Sequence, residues 1–141
     1  MSRKAGFRAG AVGVVLTVVL AGVAAASSPA PRLLSPNGKS VNPGAVKVTV
    51  DIPLSPARHG VFIAIQPNRK TKHGRLTGTC SKRCDFVAPK HLKGHKWAYT
   101  AKYNFPGYWA VTPGKYYWQV HYYTKGDTAV FYSKIGSFTV K

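Results

Sequence analysis

Two cysteines lie close together in the middle of the chain. Cys80 and Cys84 enclose the three residues SKR. A redox-active pair has two intervening residues, and a zinc site with two cysteines needs further ligands, which this region offers only as scattered histidines. In an oxidising compartment such a pair forms a disulfide. We therefore predict a bond that closes a tight loop with Lys82 and Arg83 at its tip; two free thiols on a hairpin are the alternative.

Two histidines, His91 and His95, have the spacing at which a helix would place both on one face as metal ligands. Lys93 and Gly94 lie between them, and glycine disfavours a helix there. We therefore predict no metal or other cofactor. A metal-binding extracytoplasmic β-sandwich is kept as an alternative. The remaining histidines are expected on the surface: His59, His73 and His121.

The chain has three acidic side chains, Asp51, Asp85 and Asp127, and no glutamate. Mechanisms that need paired carboxylates or a carboxylate metal cage therefore have almost no residues to use. Neither a G-x-S-x-G nucleophile elbow nor an H-E-x-x-H pair occurs. We predict that the protein is not an enzyme, and a small hydrolase is the least favoured alternative.

Positive charge is concentrated in the middle of the chain. Lys and Arg total 21 against 3 acidic residues, which gives a net charge of +18. Within residues 69–96 only Asp85 opposes the cations, and such a field attracts anionic surfaces and polymers. The predicted polyanion-binding residues are Arg69, Lys70, Lys72, Arg75, Lys82, Arg83, Lys90, Lys93 and Lys96.

The partner that this charge indicates is an anionic cell-wall polymer, a polysaccharide or a membrane surface. Sequence-specific nucleic-acid binding is not expected, because no reader motif occurs and attraction to phosphate does not depend on base sequence. A generally basic, solvated exterior without a specific ligand is the alternative interpretation, and both are kept.

Aromatic and hydrogen-bonding side chains alternate along residues 115–123, KYYWQVHYY. One phase is expected to face the solvent, where aromatic rings beside polar groups suit the stacking of sugar rings. Cross-strand aromatic pairs also stabilise a sheet without any ligand, and this second interpretation is favoured. The residues concerned are Tyr117, Gln119, His121 and Tyr123, with Tyr108 and Trp109 in nearby turns.

The beginning of the chain has the three parts of a secretory signal peptide. Arg3, Lys4 and Arg8 precede the apolar run AVGVVLTVVLAGVAAA, whose small final residues fit peptidase cleavage after Ala26. The run is shorter than the roughly 20 residues of a membrane-spanning helix, so an uncleaved anchor is the alternative. The predicted organisation of this secreted or envelope-associated protein is a signal peptide over 1–26, a linker over 27–31 and one domain over 32–141.

Short segments of alternating apolar and polar residues, separated by Gly, Pro and Asn turns, run through the rest of the chain. In AVKVTVDIP, Val46, Val48, Val50 and Ile52 share one face. No stretch has helical periodicity, so we predict an all-β, antiparallel two-sheet sandwich of about seven strands. The other apolar faces are Val61, Ile63 and Ile65; Trp97, Tyr99, Ala101 and Tyr103; Tyr116, Trp118, Val120 and Tyr122; and Phe138 with Val140.

Two details of this sandwich follow from local sequence. The segments RLTGT (75–79) and DFVAP (85–89) are predicted to pair as a hairpin with the cysteine loop at its end. The last strand, AVFYSKIGSFTVK, is expected to bend at Gly136, where glycine accommodates a bulge.

The end of the chain resembles the last two strands of bacterial fibronectin type III-like domains, which have an immunoglobulin-like fold. The stretches TPGKYYWQVHYYT and YSKIGSFTV are similar to the PGTYYWRV and SFTV patterns of those domains. PRLLSPNGKSV with KVTV resembles their beginning. The family consists mostly of adhesive, spacer or binding modules, which implies a non-catalytic binding or structural role at the cell envelope.

The resemblance also implies roles for individual residues. Tyr116 takes the place of the tyrosine that locks the turn before the penultimate strand, with Trp118 and Val120 in the core behind it. Family members usually have a tryptophan in the second strand, where this chain has Val50. Another aromatic residue, such as Trp97, is therefore expected at the centre of the core.

We expect mass spectrometry of the exported protein to find Ser27 at the amino terminus and Cys80 bonded to Cys84. Cleavage removes three cations and leaves a net charge of about +15. An intact amino terminus in the membrane fraction would identify the first segment as an anchor instead.

Overall fold

The computed structural model describes residues 30–53, 60–80, 82–101, 107–123 and 130–141. The predicted signal peptide and residues 27–29 of the linker lie outside these ranges. The described chain forms strands and one short 3₁₀ turn, which confirms the all-β prediction. In these ranges no helix is long and apolar enough to cross a membrane.

Ten strands follow one another along the described residues, more than the predicted seven because several pair over only two or three residues. A 3₁₀ turn at Gly107–Val111 lies between the seventh and eighth strands. The strands are β1 Arg32–Ser35, β2 Ser40–Val41, β3 Val46–Asp51, β4 Val61–Gln66, β5 Asp85–Val87, β6 Lys90–His91, β7 Lys96–Ala101, β8 Gly114–Tyr123, β9 Val130–Tyr132 and β10 Gly136–Val140.

The strands form two sheets, which we call sheet A and sheet B. Sheet A has the order β1-β3-β7-β6, and all its pairs are antiparallel. Sheet B has the order β2-β10-β8-β4-β5, with β9 also paired to β8. β2 and β10 are parallel, whereas the other pairs of sheet B are antiparallel. The chain passes repeatedly between the sheets, and this arrangement is compatible with the predicted two-sheet sandwich.

Both sheets contribute apolar side chains to one buried cluster. In sheet A, Val46, Val48 and Val50 alternate with more exposed residues, as the period-two pattern predicts. The predicted inward phases of β4 and β8 are buried as well. Burying each such side chain contributes about 1.5 to 3 kcal/mol relative to leaving it exposed. The alternation therefore determines which face of each strand points inward.

Aromatic rings fill the core beside the 3₁₀ turn. Trp109 and Trp118 are fully buried, and Phe138 contacts them at ring-centroid distances of 5.5 and 6.3 Å. The prediction that Trp109 is exposed is wrong, because its ring packs in the core rather than on the surface of the turn. Trp97, the predicted centre of the core, is only half-buried and packs on His91 at 4.8 Å.

The predicted hairpin between residues 75–79 and 85–89 does not form. β5 pairs with β4 instead, and Phe86 lies opposite Ala64. Gly78 adopts a left-handed conformation with φ of 65°, which interrupts an extended strand at that position. β4 offers an uninterrupted six-residue partner.

The last strand is interrupted at Ser133 rather than at Gly136, where β10 begins. The Ser133 hydroxyl accepts a hydrogen bond from the Val120 backbone N–H at 2.9 Å. A side chain therefore takes the place of a backbone carbonyl in the ladder, and the strand is divided into β9 and β10 around it.

The predicted disulfide is present between Cys80 and Cys84. Cys84 is buried and directly precedes β5. The bond therefore attaches the loop that contains Lys82 and Arg83 to the edge of sheet B.

Tyr116 closes the turn that leads into β8. Its hydroxyl donates a hydrogen bond to the Thr112 backbone carbonyl at 2.9 Å, and the Arg83 side chain hydrogen-bonds the same hydroxyl. Its ring is fully buried against Phe138 at 5.8 Å. Burial raises the pKa of this hydroxyl, an effect that the Arg83 charge opposes. The residue thus joins the core to the turn before β8.

Tyr116→Phe keeps the buried ring and removes its hydroxyl. We expect the free energy of unfolding to fall by about 1 to 2 kcal/mol, because Thr112 and Arg83 each lose a hydrogen bond. Chemical denaturation measures the change. Tyr117→Phe is the matched control, since the Tyr117 hydroxyl has no hydrogen bond with the described residues, and should cost less than about 0.5 kcal/mol. Equal losses in the two variants would contradict the role of Tyr116.

Candidate functional site

The outer face of sheet B is largely covered rather than exposed. Gln119 and His121 point away from the core on β8, yet each is only 3% exposed. The prediction that this phase faces the solvent is therefore wrong for both residues, while Tyr117 and Tyr123 are half-buried. The cover is the first part of the connection from β4 to β5, residues 67–79, which we call the 67–79 segment.

Two glutamine side chains fasten the 67–79 segment to sheet B. The Gln119 Oε1 accepts a hydrogen bond from the Leu76 N–H at 2.9 Å. The Gln66 Oε1 accepts one from the Gly78 N–H at 3.0 Å, and its Nε2 donates to the Lys70 carbonyl at 2.7 Å. Both glutamines are buried, so losing either side chain would leave backbone groups unpaired.

Gly78 allows the 67–79 segment to approach β5 closely. A Cβ at this position would overlap the backbone carbonyl oxygen of Asp85, and the left-handed φ of 65° also favours glycine. The end of the segment is therefore fixed against the edge of sheet B.

A row of aromatic rings crosses the outer face of sheet B. Phe86 lies parallel to Phe62 with 5.0 Å between ring centroids, and Tyr123 meets Phe62 edge-on at 5.8 Å. The His121 imidazole lies 5.4 Å from Phe86 and 5.0 Å from Tyr132. Phe86 remains 41% exposed. The row therefore combines cross-strand packing with one accessible apolar ring.

A concave site of about 200 Å³, which we call the His121 pocket, lies where this row meets the 67–79 segment. The Arg75 guanidinium lies 5.7 Å from the centre of the Tyr132 ring and donates a hydrogen bond to the Tyr132 hydroxyl at 2.7 Å. These contacts hold a cation at the pocket. The lining residues are Lys72, Arg75, Leu76, Thr77, Phe86, His121 and Tyr123.

The His121 imidazole is neutral at pH 7. Burial lowers the pKa of His121 to about 4, and the positive charge of Arg75 acts in the same direction. A hydrogen bond with the Leu76 backbone opposes this shift. Among the described residues, the buried Nε2 of His121 has no hydrogen-bond partner. His121 therefore contributes a neutral, buried ring to the pocket rather than a positive charge.

A second concave site of about 220 Å³, which we call the Lys115 pocket, lies toward the other end of β8 on the same face. The Lys115 Nζ is 5.5 Å from the centre of the Tyr117 ring. Asp51 and Asp85, the aspartates among the described residues, line neither pocket. The residues that line the Lys115 pocket are Arg69, Lys115, Tyr117, Ile135, Gly136 and Ser137.

The nine predicted polyanion-binding residues are divided among three places. All are exposed except Arg75, which is half-buried. The structure places Arg69 in the pocket that Lys115 lines on sheet B, Lys72 and Arg75 in the His121 pocket, and the cations of β6 and β7 on sheet A. The groups are Arg69, Lys70, Lys72 and Arg75 in the 67–79 segment; Lys82 and Arg83 in the cysteine loop; and Lys90, Lys93 and Lys96 in β6, β7 and the turn between them.

The aspartates that the structure describes make structural contacts. Asp51 forms an ion pair with Arg32 between β3 and β1. Asp85 is buried and accepts a hydrogen bond from the Trp109 Nε1 at 3.2 Å. Burial raises the pKa of the Asp85 carboxyl, and the Trp109 hydrogen bond acts against that shift. Asp127 lies outside the described residues.

The histidine pair His91 and His95 lies at the edge of sheet A. The His91 Nε2 is 2.7 Å from the Gly94 carbonyl oxygen, so one ring nitrogen is occupied by a backbone contact. The parts of the chain that the structure describes contain no group of three or more His, Cys, Asp or Glu side chains able to hold a metal ion.

Comparisons of the chain with models of protein families, with curated proteins and with solved structures found no match.

Sequence reasoning missed two residues of this surface, Phe86 and Lys115. Phe86 lies in DFV, a three-residue strand too short for a periodic signal. Lys115 lies 19 residues after Lys96, the last of the predicted polyanion-binding residues, and only the pairing of β8 in sheet B places it near Arg69. For Lys115 a signal was available: it alternates in phase with Tyr117 and His121 along β8, which places the three side chains on the same face of the strand.

We expect the His121 imidazole to lower the stability of the protein as the pH falls from about 6.5 to about 4, and His121→Phe to remove this contribution. In that window the unfolded chain binds a proton at residue 121 and the folded chain does not, because burial lowers the pKa of His121 to about 4. The slope is at most about 1.4 kcal/mol per pH unit. Denaturant unfolding across this pH range measures it.

Asp85 acts in the opposite direction, because its raised pKa lets the folded chain keep a proton that the unfolded chain has released as the pH rises. Subtracting the His121→Phe curve from the wild-type curve cancels this contribution. His95→Gln, which removes an exposed imidazole, is the matched control, and equal changes of slope in the two variants would contradict the assignment to His121. A parallel curve for His121→Phe would show that the imidazole is not kept neutral by burial.

Proposed function

We propose that the protein is a secreted, non-catalytic module of the cell envelope that binds anionic polymers through the outer face of sheet B. One observation carries this proposal: Arg69, Lys72, Arg75 and Lys115 line two pockets on one face, and neither described aspartate is among the lining residues. Uncompensated cations on one surface attract a polyanion and release its counterions on binding.

A fibronectin type III-like, immunoglobulin-like domain is part of the proposal. Seven of the ten strands can be lettered A to G in chain order: β1, β3, β4, β6, β7, β8 and β10. With these letters, β1-β3-β7-β6 is the ABED sheet and β4-β8-β10 is the CFG sheet of the immunoglobulin constant type. The hydrogen bond from the Tyr116 hydroxyl to the Thr112 carbonyl has the form of a tyrosine corner. These features support the relation to that family of binding modules.

The contacts of the carboxylates support a binding role over a catalytic one. Asp51 is paired with Arg32, and Asp85 is buried with Trp109. Neither carboxylate lies in the His121 pocket or the Lys115 pocket, where cations and aromatic rings are presented instead. Such a lining suits recognition of negative charge rather than acid–base chemistry.

The proposal predicts that binding depends on the sheet B cations and not on total charge. The triple variant Arg69→Gln, Lys72→Gln, Lys115→Gln should bind heparin at low salt at least about tenfold more weakly than wild type, a loss of about 1.4 kcal/mol. Wild-type binding should weaken steeply as salt rises, and the variant should show a shallower salt dependence. Titration calorimetry at several salt concentrations measures both.

The triple variant Lys90→Gln, Lys93→Gln, Lys96→Gln is the matched control. It removes the same charge from exposed residues of sheet A and should weaken binding much less. Equal weakening in the two variants would assign binding to the overall charge and not to the proposed surface. Affinity unchanged by salt in the wild type would refute polyanion binding altogether.

A further inference from the structure

The His121 pocket contains more than positive charge. Its wall includes an exposed aromatic ring and a guanidinium that is held in place. Binding of a simple polyanion needs only the cations, because phosphate or sulfate attraction is a matter of charge. The fixed ring and the oriented guanidinium point to a ligand that has an apolar face beside its acidic group.

The aromatic feature is Phe86. Its ring is stacked on Phe62 with only 3° between the planes and meets His121 edge-on, yet it remains 41% exposed. The contacts with Phe62 and His121 hold the ring in place without covering it. A fixed, accessible ring suits stacking against the C–H face of a sugar, which is flat and apolar while its edge carries hydroxyl groups.

The cationic feature is Arg75 with Lys72. Tyr132 holds the guanidinium of Arg75 through one hydrogen bond of 2.7 Å and through contact with its ring. A guanidinium has five N–H donors in a planar fork that matches a carboxylate. A held arginine beside an exposed lysine can therefore fix an acidic group with a defined orientation.

We infer that the His121 pocket binds one acidic sugar unit of a uronate-type polysaccharide. The sugar face stacks on Phe86, and the carboxylate binds Arg75 and Lys72. This inference rests on the proposed function and names the class of polymer that the surface takes. Single-stranded nucleic acid, whose bases also stack on aromatic rings, is the competing occupant that the test must separate.

The test compares polymers that share charge and differ in chemistry. Oligogalacturonate, inorganic polyphosphate and single-stranded oligothymidylate are titrated against wild type, Phe86→Ala and Phe86→Leu. We expect each variant to weaken oligogalacturonate binding about fivefold, because each removes the ring on which the sugar stacks, and to leave polyphosphate binding unchanged. Phe86→Leu keeps an apolar side chain in β5, so its loss cannot be attributed to unfolding. Leu92→Ala, at an exposed leucine of the sheet A side, is the matched control and should bind as wild type does.

The outcomes separate this inference from the proposed function. Oligogalacturonate binding that is unchanged in both Phe86 variants would overturn the sugar site, while salt-sensitive polyphosphate binding would leave the proposed function standing. A larger loss for oligothymidylate than for oligogalacturonate would also overturn it, in favour of nucleic acid. Failure of wild type to bind any of the three polymers would refute both.

Discussion

The candidate site depends on the hydrogen bonds by which Gln66 and Gln119 hold the 67–79 segment against sheet B. A connection between strands usually runs through solvent, because its backbone N–H and C=O groups would otherwise be unpaired. Here the two side-chain amides pair part of that backbone, and Leu76 of the segment is fully buried. Without them, the cations of residues 69–75 would belong to a solvated loop; with them, the same cations form the walls of two pockets.

The inward phases of the main strands could be predicted from the sequence, and the covered outer face could not. Period-two alternation shows that Tyr116 and Trp118 share one face and that Gln119 and His121 share the other. Burial of the apolar face is then required by the hydrophobic effect. Whether the polar face is also covered depends on a segment some forty residues away, and alternation along β8 contains no information about it. Trp109 was misplaced for a similar reason, because a turn residue packs inward only when a neighbouring sheet leaves room for its ring.

The charge of the basic segment was evident from composition, but its division was not. The chain crosses from sheet B to sheet A between β5 and β6, so Lys90 and Lys93 belong to a different sheet from Arg69 and Lys72 although they lie about twenty residues apart. Local sequence cannot locate that crossing, because β5 and β6 are three and two residues long. Conversely, the pairing of β8 in sheet B brings Lys115 beside Arg69 from a distant part of the chain. The whole chain is rich in Lys and Arg, and the order of the strands in the two sheets determines which of these cations lie together on sheet B.

The chemical identity of the fastening residues explains how the pockets stay positive. A carboxylate at position 66 or 119 could accept a hydrogen bond from the segment, but it has no donor for a carbonyl, and its charge would offset that of the nearby cations. Lysine or arginine could only donate. Glutamine does both without charge: Gln66 accepts from Gly78 and donates to Lys70, and Gln119 accepts from Leu76 and donates to the Ser133 carbonyl at 3.0 Å. The segment is therefore attached by neutral groups, and the repulsion among its cations is left for an anionic ligand to relieve.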